Sequence, residues 1–246
     1  DIYDRALPPV DAVELADETF ARLAASRASV VVTSGNHDSQ IRLGFGARLA
    51  DAAGIHLRTR WQDVGTPVLL EDAHGPVAVH GLPYLEPDAV RGPWGLSART
   101  HEAALTEAMA RVHADLESRP GSRSVVMAHA FVAGNPDAAA AMASASERDI
   151  SVGGVQIAPT SLFKDVDYAA LGHLHGRQTL ADHIRYSGSP LAYSFSEAGH
   201  TKGSWLVELG AGGVDRCDFV PAPVPRRLAT LRGRIEDLLA APEHAA

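Results

Sequence analysis

Asn36 and His37 follow directly on the apolar run Val30-Val31-Val32-Thr33, framed by Gly35 and Asp38. An asparagine amide is a weak metal ligand by itself. Beside an imidazole at the end of a buried strand it has a use: the amide oxygen binds a metal while the imidazole faces a phosphate. Further donors stand in similar settings. His129 closes Val125-Val126-Met127-Ala128, and His173 and His175 lie in Gly172-His173-Leu174-His175-Gly176 after Tyr168-Ala169-Ala170-Leu171. Asp1 opens Asp1-Ile2-Tyr3-Asp4-Arg5. Short apolar runs read as buried strands of a parallel sheet, and in open α/β sheets chemistry collects where such strands end. Asp, Asn and His together suit Mn, Fe or Zn.

These residue types fit the hydrolysis of a phosphodiester by two metals about 3.5–4 Å apart, which activate water and clamp the phosphate oxygens. A carboxylate must bridge them, because it has two anionic oxygens to share; Asp1 is the candidate. Asn36, His129 and His173 complete one metal. His175, two positions beyond His173, points the same way and addresses the other. His37 is cast as the acid that protonates or hydrogen-bonds the leaving oxygen. Asp4 is expected to accept a hydrogen bond from His37 and hold its tautomer, and Arg5 to contact phosphate. Each residue alone has a plainer reading: Asn36 as a turn cap, His129 as a core histidine, Asp1 as a terminal residue without a role, Asp4 and Arg5 as a surface ion pair. The set as a whole favours the ligand reading. His56, His74, His80, His101, His113, His183, His200 and His244 have no such pattern and read as surface or packing residues. Trp61, Trp94 and Trp205 read as packing, with Trp94, between Pro93 and Gly95, in a loop able to touch a partner.

The elements that must position this set are legible in part. Asp11 to Ala25 has helical periodicity, with Val13, Leu15, Ala16, Phe20 and Leu23 on one face. A strand over Ser29–Thr33 precedes the Gly35–Asp38 loop, and Ser39–Ala53 reads as a helix weakened by Gly44 and Gly46, stopping at Gly54. This is the βαβ rhythm of a parallel sheet. Runs 67–70 and 77–80 flank a turn in a hairpin pattern. Ser97–Leu116 reads as a helix, Ser124–Met127 as a strand, and Phe131–Arg148, with its alanine run, as a long mobile loop. Asp167–Leu171 is a strand. Segments 184–186, 204–209 and 216–220 read as antiparallel strands, 221–225 as a proline-rich linker, and Leu228–Leu239 as a short helical start.

The chain has 246 residues, 46% hydrophobic and 21% charged, an ordinary globular balance. No apolar run approaches the ~18–20 residues of a membrane span. The single cysteine, Cys217, cannot close an internal disulfide, which fits a reducing cytoplasm. A net charge of -8 argues against nucleic-acid binding by general positive charge. It does not exclude an enzyme acting on nucleic acid, because metals would supply local positive charge.

The set resembles the calcineurin-like metallophosphoesterase superfamily, whose pattern runs D-x-H, then GD-x-x-D, then GNH, a lone His, and GH-x-H. Four of the five blocks are matched; D-x-H is absent and the first Gly of the second block falls outside the chain. Within the superfamily the chain is similar to SbcD-type nuclease subunits, through Asp1–Pro9, GNHDS, Gly81-Leu82-Pro83-Tyr84, Glu147–Gly154 and Ser187–Glu197. The resemblance implies a four-layer α/β/β/α sandwich over 1–222, truncated at its N-terminus, with 223–246 a linker and the start of a cap domain. It implies a cytoplasmic double-strand exonuclease and single-strand endonuclease of DNA repair and recombination, with two divalent metals, preferably Mn2+. It implies a homodimer working with an SbcC-like ATPase, without a membrane. Lacking D-x-H, the chain is expected to hold one metal well and the other poorly, and to be weakly active or inactive. Two other readings stand beside it: a small-molecule or nucleotide phosphodiesterase with the same metals, and a scaffold that serves mainly to bind an ATPase.

Overall fold

The computed structural model describes residues 1–134 and 157–240. Its centre is a mixed sheet of six strands: β3 (Val68–Asp72), β4 (Gly75–Leu82), β5 (Arg123–His129), β8 (Tyr168–Gly172), β9 (Gln178–Ala181) and β10 (Ile184–Tyr186). Across the sheet their order is β3-β4-β5-β8-β10-β9. β4, β5, β8 and β10 run parallel to one another, while β3 and β9 pair antiparallel at the edges. Positions 77 to 82 of β4 are all buried, as a strand covered on both faces must be.

One face of this sheet carries α4 (Pro87–Trp94) and α5 (His101–Glu117). Thr100 caps α5 by accepting from the Ala103 amide, and Ala104, Leu105, Ala108, Met109 and Val112 form its buried stripe. That stripe meets Val126, Ala128, Ala169 and Leu171 from the central strands. On the other face, Val68, Val77 and Val79 pack with Val31 of β1 (Val30–Thr33) and Leu209 of β11 (Gly203–Gly210). β1 pairs in parallel with β2 (Ile55–Arg58), and β11 forms an antiparallel hairpin with β12 (Gly213–Pro221). Gly81 of β4 faces β1 and β2 so closely that an added Cβ would lie 2.7 Å from Arg58 Cβ and 3.0 Å from Thr33 Cγ2. The outer side of β1–β2, with Val32, Ile55 and Leu57, is covered by α1 (Val10–Ala24) and α3 (Ala47–Ala52).

The β3–β4 hairpin, β1, the strand delivering His129 and the β11–β12 pair form as the sequence predicts. Several expectations are corrected. The helix over 39–53 is two helices, α2 (Gln40–Leu43) and α3, because Gly46 takes a left-handed φ of 74° between them. The sequence pattern does not announce β2 or α4. Trp94 ends α4 instead of lying in a loop, and packs edge-on to Trp61 with the Arg111 guanidinium 4.7 Å from its ring centroid. The helix expected from Ser97 starts at His101. β10 is antiparallel only to β9; to β8 it is parallel. Val13 and Leu15 of α1 are exposed, since only its last turns, through Phe20, Leu23 and Ala24, reach the β1–β2 layer. Regular helix in 228–239 begins only at α6 (Ile235–Ala240). Most of the expected mobile loop and the 147–154 string lie outside the described residues. Phe131 to Gly134 are described, and Val132–Ala133 (β6) pairs in parallel with Ala158–Pro159 (β7). Among the described residues, no helix is long and apolar enough to cross a membrane.

Candidate metal centre

β1, β5 and β8 deliver the chemistry at their carboxyl ends. The turn after β1 carries Asn36 and His37, His129 is the last residue of β5, and His173 follows β8 directly. In the sheet register His129 stands opposite Gly172, so the two histidines are neighbours by strand pairing. Their rings cross edge to face with centroids 5.3 Å apart. Asn36 Oδ1 accepts from both, at 2.9 Å from His129 Nε2 and 3.2 Å from His173 Nδ1. Asp1 Oδ2 lies 3.6 Å from His129 Nε2, and Asp1 Oδ1 accepts from the His37 amide at 2.9 Å.

These separations test whether a cation fits. With metal–ligand bonds of about 2.0–2.2 Å, adjacent ligand atoms stand about 3.0–3.4 Å apart. From Asn36 Oδ1, His173 Nδ1 at 3.2 Å falls within that spacing and His129 Nε2 at 2.9 Å just under it, while Asp1 Oδ2 is slightly beyond it from His129 at 3.6 Å. The convergence depends on the asparagine: His, Cys, Asp and Glu side chains alone make no group of three able to hold a metal ion among the described residues. Burial, the largest cause, pushes the His129 imidazole well below its ordinary pKa. His129 is therefore neutral, the form that ligates metals. His173 is the one described residue other than glycine with positive φ, 106°; strain of this kind is held where surrounding structure over-determines it.

Gly35 explains how the two chain segments come so close. A Cβ there would overlap the Asp1 carboxylate and sit 2.7 Å from His129 Cε1. Asp38, which sequence reasoning passed over, fixes the same junction: its carboxylate accepts from the amides of Ile2, Tyr3 and Gly35 at 2.8–3.2 Å.

No family model matches the chain. It is 29% identical over 242 residues to the D subunit of the nuclease SbcCD of Staphylococcus saprophyticus, a match covering 97% of this chain and 61% of that protein. The chain is similar to SbcD-type nuclease subunits along nearly its whole length. It spans under two thirds of the length of that SbcD relative.

Against the SbcD resemblance, two expected roles need different atoms. His37 Nδ1 does bond to Asp4, but to its backbone oxygen at 2.8 Å; the Asp4 carboxylate turns to Arg5 instead. The bent chain at Asp4 offers its carbonyl where a carboxylate was expected. Asp4 and Arg5 side chains are both exposed, so Arg5 is held by one surface ion pair. His175 stands in the same loop, two residues beyond His173. Its Nδ1 bonds Glu197 Oε1 at 2.8 Å. Glu197 is fully buried and also meets Lys202 Nζ at 2.8 Å. Burial opposes ionisation of Glu197, yet hydrogen bonds from Lys202 and His175 hold its carboxyl below its usual 4.5. Glu197 closes the Ser187–Glu197 string, so a signal for it was present, though not for its role.

Two other histidines, read from the sequence as surface or packing residues, are packed with defined partners. His101, half-buried at the start of α5, has Nε2 3.4 Å from the Tyr84 hydroxyl, and the Tyr84 ring lies 6.3 Å from His129. Burial pushes the Tyr84 hydroxyl up to about 12, so it stays a neutral donor beside the site. His80 is buried and paired with Asp115 at 3.0 Å.

Proposed function

We propose that the chain is the phosphoesterase portion of a metal-dependent DNA nuclease, hydrolysing phosphodiester bonds with a dinuclear, Mn2+-preferring site. The observation that carries this reading is the convergence of Asp1, Asn36, His129 and His173 at the ends of three strands. Asn36, His129 and His173 would hold one ion, His175 the other, and Asp1 would bridge. Bound, the ions supply Lewis acidity toward water and the phosphate oxygens.

The chain's own residues do the rest. The Asp4 carbonyl can only accept, so His37 Nδ1 carries its proton and Nε2 is the nitrogen left for substrate. As imidazolium, His37 delivers the Nε2 proton to the leaving oxygen. Arg5, on the exposed rim, supplies a guanidinium for a flanking phosphate. The four layers of an α/β/β/α sandwich, over residues 1–222, are supported by the clusters on both sides of each sheet. Residues 223–246 are the linker and start of a cap domain. The protein works in a cytoplasmic complex for DNA repair and recombination, as a homodimer with an SbcC-like ATPase; the similarity to a D subunit of the nuclease SbcCD supports the nuclease complex and its partner subunit.

The test is to incubate the protein with Mn2+ and end-labelled linear duplex DNA, beside His37→Ala and a small aryl phosphodiester. Metal-dependent shortening that the substitution abolishes supports the nuclease. Turnover of the small diester with intact DNA moves the assignment to a small-molecule phosphodiesterase.

A further inference from the structure

Beneath His175 lies a buried ion pair that the proposed chemistry does not use. Glu197 is 0% exposed and Lys202 6%. Lys202 is one of only two lysines in the chain. Its Nζ donates to three acceptors, the His175 carbonyl at 2.9 Å, Ser189 Oγ at 2.8 Å and Glu197 Oε2 at 2.8 Å, with His200 Nδ1 further off at 3.4 Å. Three protons on a tetrahedral ammonium match three acceptors; the planar guanidinium fork does not. Glu197 uses its second oxygen on His175 Nδ1 and also receives the Tyr193 amide at 3.3 Å. Lys202 thus ties down the backbone of His175 while Glu197 ties down its ring.

An ionised carboxylate can only accept. Glu197, in contact with the Lys202 ammonium and with a backbone amide, is such a carboxylate. The proton of a neutral His175 must then sit on Nδ1, and the lone pair on Nε2. We propose that Glu197, held by Lys202, is the positioning residue that fixes His175 as the Nδ1–H tautomer and so presents Nε2 as the donor to the metal centre. The three imidazoles then present nitrogens of two kinds. His129 uses Nε2 and His173 uses Nδ1 toward Asn36, while His175, with Nδ1 taken, uses Nε2. This inference rests on the metal-site reading for its consequence, not for the tautomer itself.

Two double substitutions separate positioning from stability. Glu197→Gln with Lys202→Met removes the charges but keeps an acceptor for Nδ1. Glu197→Met with Lys202→Met removes charges and acceptor together. Neither leaves a lone buried charge, and the melting transition of each variant is recorded first to show that it folds. Long-range 15N NMR of the imidazoles, with His175 assigned by its loss in His175→Gln, reads the tautomer without any metal; calorimetry reads Mn2+ affinity. The expected result is the Nδ1–H tautomer in the parent protein and a weaker preference for it in the Gln/Met protein, whose amide can accept from or donate to Nδ1. The Met/Met protein gives a mixed tautomer and Mn2+ binding weaker by about 10- to 100-fold. An unchanged His175 tautomer in the Met/Met protein overturns the proposal. Intact tautomer control with no Mn2+ binding by the parent protein sinks the metal reading and leaves the positioning role standing.

Discussion

Asn36 Oδ1 and His129 Nε2 lie 2.9 Å apart although 93 residues separate them in the chain. Two strands bring them together: β1 ends just before Asn36, and β5 ends on His129. The amide oxygen also receives His173, so one atom collects two imidazoles from different strands. A cation at this point would replace those hydrogen bonds.

Metal removal should therefore cost stability as well as activity. Treating the protein with a chelator is expected to lower its melting temperature, and Mn2+ at a hundredfold excess over its Kd should restore about 2.7 kcal/mol. Equal melting curves with and without Mn2+ by calorimetry would contradict the site.

His37 and Asp4 are expected to behave unequally. His37→Ala should slow phosphodiester hydrolysis by about 10²- to 10⁴-fold, the range for a lost general acid, with Mn2+ affinity nearly unchanged. Asp4→Ala should leave the rate close to the parent value, because the bond to His37 comes from the backbone oxygen. A rate loss in Asp4→Ala as large as in His37→Ala, measured on an aryl diester, would restore the carboxylate role.

Gly35→Ala should disturb the site out of proportion to its size. The added methyl overlaps the Asp1 carboxylate and presses on His129. Overpacking of this kind typically costs about 1–3 kcal/mol, and here it displaces a ligand. Titration with Mn2+ should show clearly weaker binding in a protein that still melts cooperatively; parent-like affinity would mean Asp1 is not a ligand.

Lys202→Met alone should be worse than Lys202→Met with Glu197→Met. The single change leaves a buried carboxylate without its partner, at about 3–5 kcal/mol, whereas the double change removes both charges. Urea unfolding of the two variants gives the comparison. A single variant as stable as the double would mean that water reaches Glu197.

Acid should weaken the fold through His80 and Asp115. Burial pushes the His80 imidazole below its ordinary 6.5, against the pull of Asp115, so the folded state binds its proton less readily than the unfolded chain. Burial raises the Asp115 carboxyl, but hydrogen bonds from Arg119 and His80 outweigh this and hold it below 3.8. Both depressions act in the same direction. The stability due to His80 is complete above pH 6.5 and is lost as pH falls through its folded value; that due to Asp115 is lost further down, below 3.8. In a urea series from about pH 8 to 5, His80→Gln should show a flatter decline than the parent protein, and an equally steep one would assign the loss to other groups.

The local chemistry and the strands behind it were legible in the sequence. Val30-Val31-Val32, Val125-Val126 and Tyr168–Leu171 are apolar runs, and a run of that length has few ways to be buried except as a strand. Residues placed just after such runs stand at strand ends, and the carboxyl ends of strands from two sheets bring Asn36, His129 and His173 together. What depended on long-range packing did not. Gly46 breaks the 39–53 helix because it is needed at positive φ. α4 forms across Pro93, against propensity, because Val90 and Trp94 are covered by α5 and the Trp61 ring. Asp4 yields its role to its own carbonyl, Asp38 gathers three amides, and Glu197 with Lys202 fixes His175. Hydrogen bonds of this kind are satisfied by whichever atom the tertiary structure brings within about 3 Å, and sequence spacing carries no record of that distance. The sequence by itself determined which residue types meet at the strand ends; only the tertiary structure decided which atoms of them touch, because burial leaves each polar group to bond with whatever the packing sets beside it.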